Sequence, residues 1–557
     1  MKSAIAILFA LALVAQAALA APKPAALGPV GSYPIAKEKT DLNILTLQTI
    51  FIQDWATNRL TKYMEDKTNV RVKWDTIPED AVKEKLNLLL ASGDYPEVLF
   101  GLGGAIDAAT ELKYGAEEKA FIPLNDLIDK CMPNFKKALD KFPGSRGYIT
   151  SSDGKIYSLP YFEETYHVTA SAKMWVYKPW LDKLGLKTPE TTDEFYKMLV
   201  AFRDKDPNGN GKKDEIPLAG ALVGWRSAPS LFLLNSFIYC DLNPNLNSDV
   251  DDALGYYMDK GQIMTVADKE AYRDGLRYMA RLYKEGLLHE GAFTMNAESQ
   301  LTPLVENPGA PLVGVVAGGW GGVYSQVGGE RYRNFVALPP LKGPKGVREA
   351  LYFAPTPSIG GFVITSKCAN PEMAARWVDY FYTQEGTLML RQGFENVGWR
   401  YAQKGELGLD GKPAIWKPLK PWNDKEPQND SWVRVGVYLQ DKAFRLGEVV
   451  PAGLDPDSAD GVEKRLYDAT KKCYEPYLHP EKEMLTPLRF LGSEQEELST
   501  LKAEFARYVR QSMVKFITGA MDLDKDWSAY LANLDKLGMK KIVAANQKAY
   551  ERQYKTK

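Results

Sequence analysis

Residues 42–47 read Leu-Asn-Ile-Leu-Thr-Leu, and this alternation of apolar and polar side chains predicts a β-strand. A stretch with helical spacing leads to a second strand at 70–74. Another helix, with apolar residues on one face, leads to a third strand at 98–100. Strands that alternate with helices in this way pair in the same direction, and the helices cover the sheet. The sequence therefore predicts an α/β fold with a parallel sheet.

Residues 206–217 read Asp-Pro-Asn-Gly-Asn-Gly-Lys-Lys-Asp-Glu-Ile-Pro, directly after a helix that a Thr191/Glu194 capping box predicts. Side-chain oxygens stand at the first, third and fifth places and a glycine at the sixth, the spacing of a loop that binds calcium through roughly six to eight oxygens. A true EF-hand has a bidentate glutamate at the twelfth place, but here that place is Pro217, so Glu215 must supply the last carboxylate. The alternative interpretation of the stretch is a polar turn. The pattern predicts a structural calcium ion with the ligands Asp206, Asn208, Asn210, the backbone carbonyl of Lys212, Asp214 and Glu215.

Length and charge limit the classes of function. The 557 residues exceed what one hydrophobic core usually serves, so two lobes are expected. The 70 Lys and Arg residues balance 71 Asp and Glu residues, which gives no basic excess for binding nucleic acid. His167, His289 and His479 lie far apart without metal-ligand spacing, which argues against a zinc enzyme.

The N-terminus carries the pattern of an export signal. Residues 1–20 contain Lys2, an apolar run and Ala18-Leu19-Ala20, which predicts a secretory signal peptide. No cysteine follows the cleavage point, and no later run reaches the roughly 18 apolar residues of a membrane span. We therefore expect a periplasmic or extracellular protein without a lipid anchor. Residues 21–40, rich in Ala, Pro and Gly, are predicted to be a disordered leader.

Four cysteines, Cys131, Cys240, Cys368 and Cys473, are widely spaced along the chain. In an oxidising compartment they can pair in three ways, or each can be a small buried apolar side chain. The sequence leaves both interpretations open.

Several segments, in this order along nearly the whole chain, are similar to those of a known family. They are residues 86–98 (Leu-Asn-Leu-Leu-Leu-Ala-Ser-Gly-Asp-Tyr-Pro-Glu-Val), 153–160, 180–195, 360–367, 370–372, 516–519 and 526–527. With them the chain resembles the extracellular solute-binding proteins of ABC importers. Within that family it is similar to the large oligosaccharide-binding branch, which includes alginate-oligosaccharide-binding proteins with a calcium loop.

The resemblance implies a two-lobed periplasmic-binding-protein fold, of the class with two or more hinge crossings. The expected first lobe comprises residues 41–160 and 355–425. The expected second lobe comprises residues 161–354 and 426–557, with the calcium loop and the C-terminal helices. The implied function is that of a monomeric binding protein, not an enzyme, which captures an oligosaccharide in the cleft and delivers it to permease subunits in the membrane.

Aromatic side chains in loops or at element ends are candidates for binding sugar, because their rings can bury the apolar C–H faces of a sugar. These candidates are Tyr161, Trp225, Trp320, Trp399 and Trp422; the alternative for each is packing within the protein. Trp55, Trp175 and Trp377 lie on element faces and are predicted to be core residues. Arg226 and Arg400 stand beside two candidates and weakly favour an acidic oligosaccharide.

Two other functions remain open from the sequence. A secreted, calcium-stabilised polysaccharide-degrading enzyme needs two carboxylates facing each other across the scissile bond, and no motif singles out such a pair. The same binding fold with a peptide or another solute as ligand is the other alternative.

Overall fold

The computed structural model describes residues 24–142, 144–245, 254–420, 426–485 and 487–555. Within these ranges the chain forms two α/β lobes, each with its own β-sheet and its own hydrophobic core. The strands are β1 (Thr40–Gln48), β2 (Val70–Pro78), β3 (Val98–Phe100), β4 (Leu159–Glu163), β5 (Met174–Tyr177), β6 (Ile216–Ala219), β7 (Tyr256–Asp259), β8 (Gln262–Thr265), β9 (Val313–Ala317), β10 (Phe335–Leu338), β11 (Ser358–Ile364), β12 (Trp399–Tyr401), β13 (Trp416–Pro418) and β14 (Leu439–Gln440).

The α-helices cover both sheets, and the last three form a layer on the second lobe. They are α1 (Arg59–Thr68), α2 (Val82–Ser92), α3 (Ala108–Glu111), α4 (Asn125–Cys131), α5 (Pro133–Lys141), α6 (Ser145–Ile149), α7 (Lys178–Leu184), α8 (Thr192–Asp204), α9 (Ser230–Leu233), α10 (Glu270–Lys284), α11 (Thr302–Val305), α12 (Glu330–Asn334), α13 (Pro371–Asp379), α14 (Gln384–Gln392), α15 (Lys442–Leu446), α16 (Val462–Ala469), α17 (Gly492–Thr518), α18 (Trp527–Lys536) and α19 (Met539–Tyr550).

The sheet of the first lobe has the strand order β14-β4-β11-β3-β1-β2. β1 pairs in parallel with both β2 and β3, which confirms the parallel arrangement predicted for the first three strands. β11 is antiparallel to β3 and β4, because the chain leaves this lobe through β4 and returns from the second lobe through β11. The sheet is therefore mixed: β2, β1 and β3 pair in parallel before the chain first crosses between lobes, and β14 pairs in parallel with β4 after the chain returns.

The sheet of the second lobe has the order β10-β5-β9-β6, in which β6 and β9 are parallel. The capping box predicted from the sequence is present at the start of α8, and the apolar face of that helix packs into the core through Phe195, Met198, Leu199 and Phe202. Trp55, Trp175 and Trp377 are buried in the two cores, as predicted. Local periodicity thus placed the main packing faces correctly.

Three connections between the lobes run side by side: the segments after β4, before β11 and after β14. The backbone N–H of Glu164 donates to the carbonyl of Gln440 at 2.8 Å, which joins the start of the first connection to the end of β14, where the third begins. The N–H of Phe353 donates to the carbonyl of Thr169 at 2.9 Å, which joins the second to the first. These hydrogen bonds tie the crossings into one hinge region.

The structure corrects the predicted boundary of the lobes near residue 426. The segment before β14 packs in the core of the first lobe, where Trp432 and Tyr438 are buried, and β14 itself pairs with β4. The chain therefore crosses to the second lobe only after Gln440. A strand of two residues carries too little periodicity to be found in the sequence, which is why this return was missed.

The predicted disordered leader, residues 21–40, is folded over the part that the structure describes, from residue 24 onward. Leu27 and Ala36 form an antiparallel bridge, and Arg376 of α13 donates to the carbonyls of Gly28 at 2.8 Å and Pro29 at 2.6 Å. The Ala/Pro/Gly composition predicted disorder, but the partner that orders the segment is remote in sequence. The predicted signal peptide lies outside the described residues, within which no helix is both long and apolar enough to cross a bilayer.

A buried ion pair connects the C-terminal part of the chain to the first lobe. Arg489, 5% exposed, lies with its Nη1 atom 2.8 Å from Oε2 of Glu111, which is 1% exposed. The Ser158 hydroxyl donates to the same carboxylate, and Arg489 also donates from Nε to the carbonyl of Tyr148 at 2.6 Å. Because α17 follows directly and packs in the core of the second lobe, this pair is a further link between the lobes.

All four cysteines are free thiols. Cys131 and Cys240 are buried, while Cys368 and Cys473 are half-buried. Burial raises the pKa of the Cys131 thiol to about 11, so it stays protonated at neutral pH. The structure favours the interpretation of each cysteine as a small packed side chain.

Candidate ligand-binding cleft

A cavity of about 320 Å³ opens at the carboxyl edge of the first sheet. Open α/β sheets bind ligands at this edge, because the loops that follow parallel strands meet there. The cavity lies beyond the ends of β1, β3 and β4, and the segment before β14 closes one side. Its side chains include Thr49, Phe51, Glu79, Tyr161, Glu163, Arg434 and Tyr438.

Tyr161, a candidate from the sequence, is half-buried and lines this cavity. Its ring stacks on that of Tyr438, with centroids 5.0 Å apart and planes inclined by 24°. The Tyr438 hydroxyl donates to Oε2 of Glu163 at 2.7 Å, and the guanidinium of Arg391 lies 4.9 Å from the centroid of the Tyr438 ring. Tyr161 therefore rests on a ring that is itself held by hydrogen bonding and by a cation.

Residues 431–440 are buried with one exception, Arg434, which is exposed and lines the cavity. Val433 has φ +57°, a strained conformation for a β-branched residue. Gly436 has φ +122°, and a Cβ atom there would lie 2.2 Å from the Phe100 ring, so only glycine fits. The backbone of this segment is thus fixed against the core, and its one exposed side chain is presented to the cavity.

The second lobe brings two predicted tryptophans to the edge of its own sheet. Trp225 follows β6 and Trp320 follows β9, and these strands are parallel, so both loops leave the same edge. Trp225 is 39% exposed and packs on Gly319, where an added Cβ would lie 2.3 Å from the indole ring. The N–H of Gly319 donates to the Trp225 carbonyl at 3.1 Å, which joins the two loops. As ligand contacts, Trp225 and Trp320 stay predictions.

The structure corrects the assignment of Trp399 to the ligand site. Trp399 is 1% exposed and packs with Leu388, Trp416 and Phe444 in a small separate core. Its Nε1 atom donates to the carbonyl of Gly393 at 2.8 Å. The sequence placed this residue in a loop or at an element end, and it does begin β12, but β12 pairs with β13 and is covered by α15, so the ring is enclosed. Trp422 lies outside the described residues.

The two arginines that favoured an acidic sugar are engaged with other side chains. Arg400 forms two hydrogen bonds to the carboxylate of Glu406, at 2.7 Å and 2.6 Å. The guanidinium of Arg226 lies 3.8 Å from the centroid of Phe353, a residue of the second hinge connection. The pairing of Arg400 with Glu406 removes one of the two arguments for a carboxylate-bearing ligand.

Sequence reasoning missed most polar groups of the cavity. Arg434 stands alone among apolar residues in Trp432-Val-Arg-Val-Gly-Val-Tyr438. A lone charge within a run that is otherwise buried was the one available signal. Glu79 and Glu163 carry no such signal, because each simply follows or ends a strand.

The predicted calcium loop connects α8 to β6 and has a compact, internally hydrogen-bonded backbone. Oδ1 of Asp206 accepts the N–H groups of Gly209 and Asn210 at 3.0 Å and 3.1 Å, and its Oδ2 accepts that of Gly211 at 3.1 Å. Gly211 has φ +74°, which permits the sharp turn at the sixth place. The side chain at the first place thus organises the turn that the spacing predicted.

One carboxylate oxygen of this loop has the environment that a bound cation would compensate. The Oε1 atom of Glu215 is buried without a hydrogen-bond partner among the described residues. Burial raises the pKa of Glu215, and the negative charges of Asp206 and Asp214 add to this effect. Among the described residues, including this loop, no three His, Cys, Asp or Glu side chains lie close enough together to hold a metal ion by themselves. An ion in this loop would therefore also need the amide oxygens of Asn208 and Asn210.

The profile of the family described as "Bacterial extracellular solute-binding protein" matches residues 46–388. FusA, the substrate-binding protein of a fructooligosaccharide ABC transporter of Streptococcus pneumoniae serotype 4, is 29% identical over 540 residues, which cover 93% of this chain and 91% of FusA.

Solved structures show the same fold. FusA with kestose has a TM-score of 0.68 at 24% identity, covering 93% of this chain and 100% of FusA, and an EF-hand mutant of FusA with fructo-nystose has a TM-score of 0.67 over the same shares. An HMO-binding, ABC-transporter-associated solute-binding protein of Bifidobacterium longum infantis has a TM-score of 0.73 at 22% identity, with 92% and 99% covered. The alginate-binding protein AlgQ2, solved without calcium ion, has a TM-score of 0.62 at 23% identity, with 93% and 99% covered.

Proposed function

Because the chain belongs to the bacterial extracellular solute-binding protein family, we propose that it captures an oligosaccharide between its lobes and delivers it to the permease subunits of an ABC importer. The observation that carries the ligand class is the cavity at the carboxyl edge of the first sheet. There a fixed aromatic ring, Tyr161, stands among polar side chains. Sugars present apolar faces and hydroxyl groups together, which is what such a lining binds. FusA, which aligns with nearly the whole chain, is a fructooligosaccharide-binding component.

The lobes act together in this proposal. Tyr161 belongs to the first lobe, whereas Trp225 and Trp320 lie at the sheet edge of the second. A sugar chain contacts all three rings only when the lobes approach each other, so the ligand stabilises the closed state over the open one. The permease can then distinguish loaded from empty protein by shape. The mature chain would work outside the cytoplasmic membrane, as a monomer and without chemical change to the sugar.

We expect one class of neutral or acidic oligosaccharide to raise the melting temperature of the wild-type protein, because a ligand that binds only the folded state stabilises it. Tyr161→Ala should weaken that binding about tenfold, the size of one aromatic stacking contact, whereas Tyr161→Phe should retain it. Thermal shift identifies the sugar that binds, and calorimetry measures its dissociation constants. Chromatography of the sugar over time shows whether any of it is converted to product.

Two results would contradict the proposal. One is the absence of a thermal shift with every oligosaccharide tested. The other is product formation that is lost when a single carboxylate is replaced, which would support the enzyme instead of the carrier.

We also propose that residues 206–215 hold one structural calcium ion. The buried, unpartnered oxygen of Glu215 supports this, since a bound cation would compensate its burial. The EF-hand mutant of FusA and the calcium-free form of AlgQ2 concern relatives with the same fold, and they agree with the proposal. The donors would be Asp206, Asn208, Asn210, the carbonyl of Lys212, Asp214 and Glu215. Bound calcium would fix the exit of α8 relative to β6.

Chelation is expected to lower the melting temperature by a few degrees, because removing an ion at about 100 times its dissociation constant costs roughly 2.7 kcal/mol. Asp206→Ala should abolish this response. Asp193→Ala, which removes an exposed carboxylate from the neighbouring helix α8, should leave it intact. Metal analysis that finds no calcium after purification in calcium-containing buffer would rule out the ion.

A further inference from the structure

The cavity of the first lobe contains two charged side chains that have no charged partner. Arg434 makes no hydrogen bond or ion pair through its guanidinium with any described residue, and its nearest aromatic contact is Phe51, whose centroid lies 5.2 Å away. Glu79, at the end of β2, likewise forms no ion pair within the described ranges. Both line one cavity, yet no ion pair joins them.

The third charged group of the cavity, Glu163, is already engaged. Its Oε2 atom accepts the Tyr438 hydroxyl at 2.7 Å and lies 3.8 Å from Nη1 of Arg391. Its role is to hold the ring beneath Tyr161. Because Arg391 offsets the charge of Glu163, one carboxylate, Glu79, and one cation, Arg434, stay available to a ligand.

These groups specify the charge of the ligand. The exposed guanidinium of Arg434 offers hydrogen-bond donors to a ligand, and the exposed carboxylate of Glu79 offers acceptors. Adjacent sugar hydroxyls can accept from Arg434 and donate to Glu79 at once. A uronate would satisfy Arg434, but it would bring a further negative charge into a cavity that already holds the unpaired carboxylate of Glu79, and like charges in a partly enclosed cavity repel.

We infer that this cavity takes a neutral sugar unit, whose hydroxyls are shared between Arg434 and Glu79 while its ring lies on Tyr161, and that it discriminates against uronic acids. This inference rests on the proposed function and narrows it from oligosaccharides to neutral ones. It also assigns specificity to two residues, of which Glu79 rejects the acid and Arg434 anchors the hydroxyls.

The test compares fructo-, malto- and galacto-oligosaccharides with alginate and galacturonate oligomers of equal length, and includes methyl-esterified oligogalacturonate as the neutral match of its acid. We expect the tightest neutral oligomer to bind the wild type at least tenfold more tightly than any uronate. Arg434→Gln should weaken that binding tenfold or more. Glu79→Gln should tighten uronate binding and so reduce the ratio of the uronate dissociation constant to that of the neutral oligomer.

Arg59→Gln is the matched control, because Arg59 also lies over a phenylalanine, Phe394 at 3.9 Å, but outside the cavity. It should leave every dissociation constant unchanged. All variants should keep the wild-type melting temperature without sugar, since neither Arg434 nor Glu79 supports the core.

The outcomes distinguish failure of this inference from failure of the proposed function. A uronate that binds as tightly as the best neutral oligomer, or unchanged binding in Arg434→Gln, overturns the inference and leaves the oligosaccharide carrier standing. If no oligomer of either kind binds, the proposed function fails and takes this inference with it.

Discussion

Replacing Arg489 by methionine is expected to lower the free energy of unfolding by about 3–5 kcal/mol. The substitution leaves the carboxylate of Glu111 buried, at 1% exposure, without its cation. Only the Ser158 hydroxyl would remain as a side-chain hydrogen-bond donor to it. A buried charge that loses its partner costs far more than the intact pair contributes, because it can no longer recover its lost hydration. Urea unfolding, followed by circular dichroism, measures the change.

Arg71→Met provides the control for this prediction. Arg71 lies 2.7 Å from Asp41, so the ion pair is as close as that of Arg489, but the Arg71 side chain is 57% exposed. Exposed pairs contribute about 0–1 kcal/mol, so this variant should unfold at nearly the wild-type urea concentration. Equal effects of the two substitutions would show that burial of the Glu111 pair does not decide its contribution.

Trp399→Ala is expected to lower the free energy of unfolding by about 3–5 kcal/mol, because it leaves a large cavity among Leu388, Trp416 and Phe444. The affinity of the folded protein for its sugar should not change, since this ring is enclosed by the small core. Urea unfolding and calorimetry give the two quantities separately.

Trp225→Ala makes the same chemical change at an exposed site of the second lobe. We expect it to leave stability within about 1 kcal/mol and to weaken sugar binding about tenfold. If Trp399→Ala instead weakened binding without destabilising the fold, the assignment of Trp399 to a packed core would be wrong.

The sequence predicted those features whose cause is local. Alternation over 42–47 and 70–74 identified β1 and β2, and a capping box fixed the start of α8. The loop after α8 was recognised because its turn is organised by residues within it, above all Asp206. In each case the interacting groups lie within about ten residues of one another.

Features whose cause lies in distant contacts could not be predicted. Trp399 was predicted to be available to a ligand because Phe444, which covers it, follows 45 residues later. The leader, residues 21–40, was predicted to be disordered because Arg376, which donates to its backbone, lies far along the chain. Arg434 reaches the cavity through backbone dihedral angles at Val433, which composition does not encode. The ligand site is assembled from such contacts, so the family could be recognised before the site.

The buried pair of Glu111 and Arg489 has a consequence for how the lobes can move. Ser158, which donates to Glu111, stands at one end of β4, and Glu164, which binds the third connection, stands at the other. The two attachments are therefore separated by the length of that strand, roughly 20 Å at about 3.3 Å per residue. Of the possible motions, rotation about the line through these two attachments stretches them least. We therefore expect the lobes to rotate about an axis along β4 instead of twisting or sliding. Each closure would then bring the same two edges face to face.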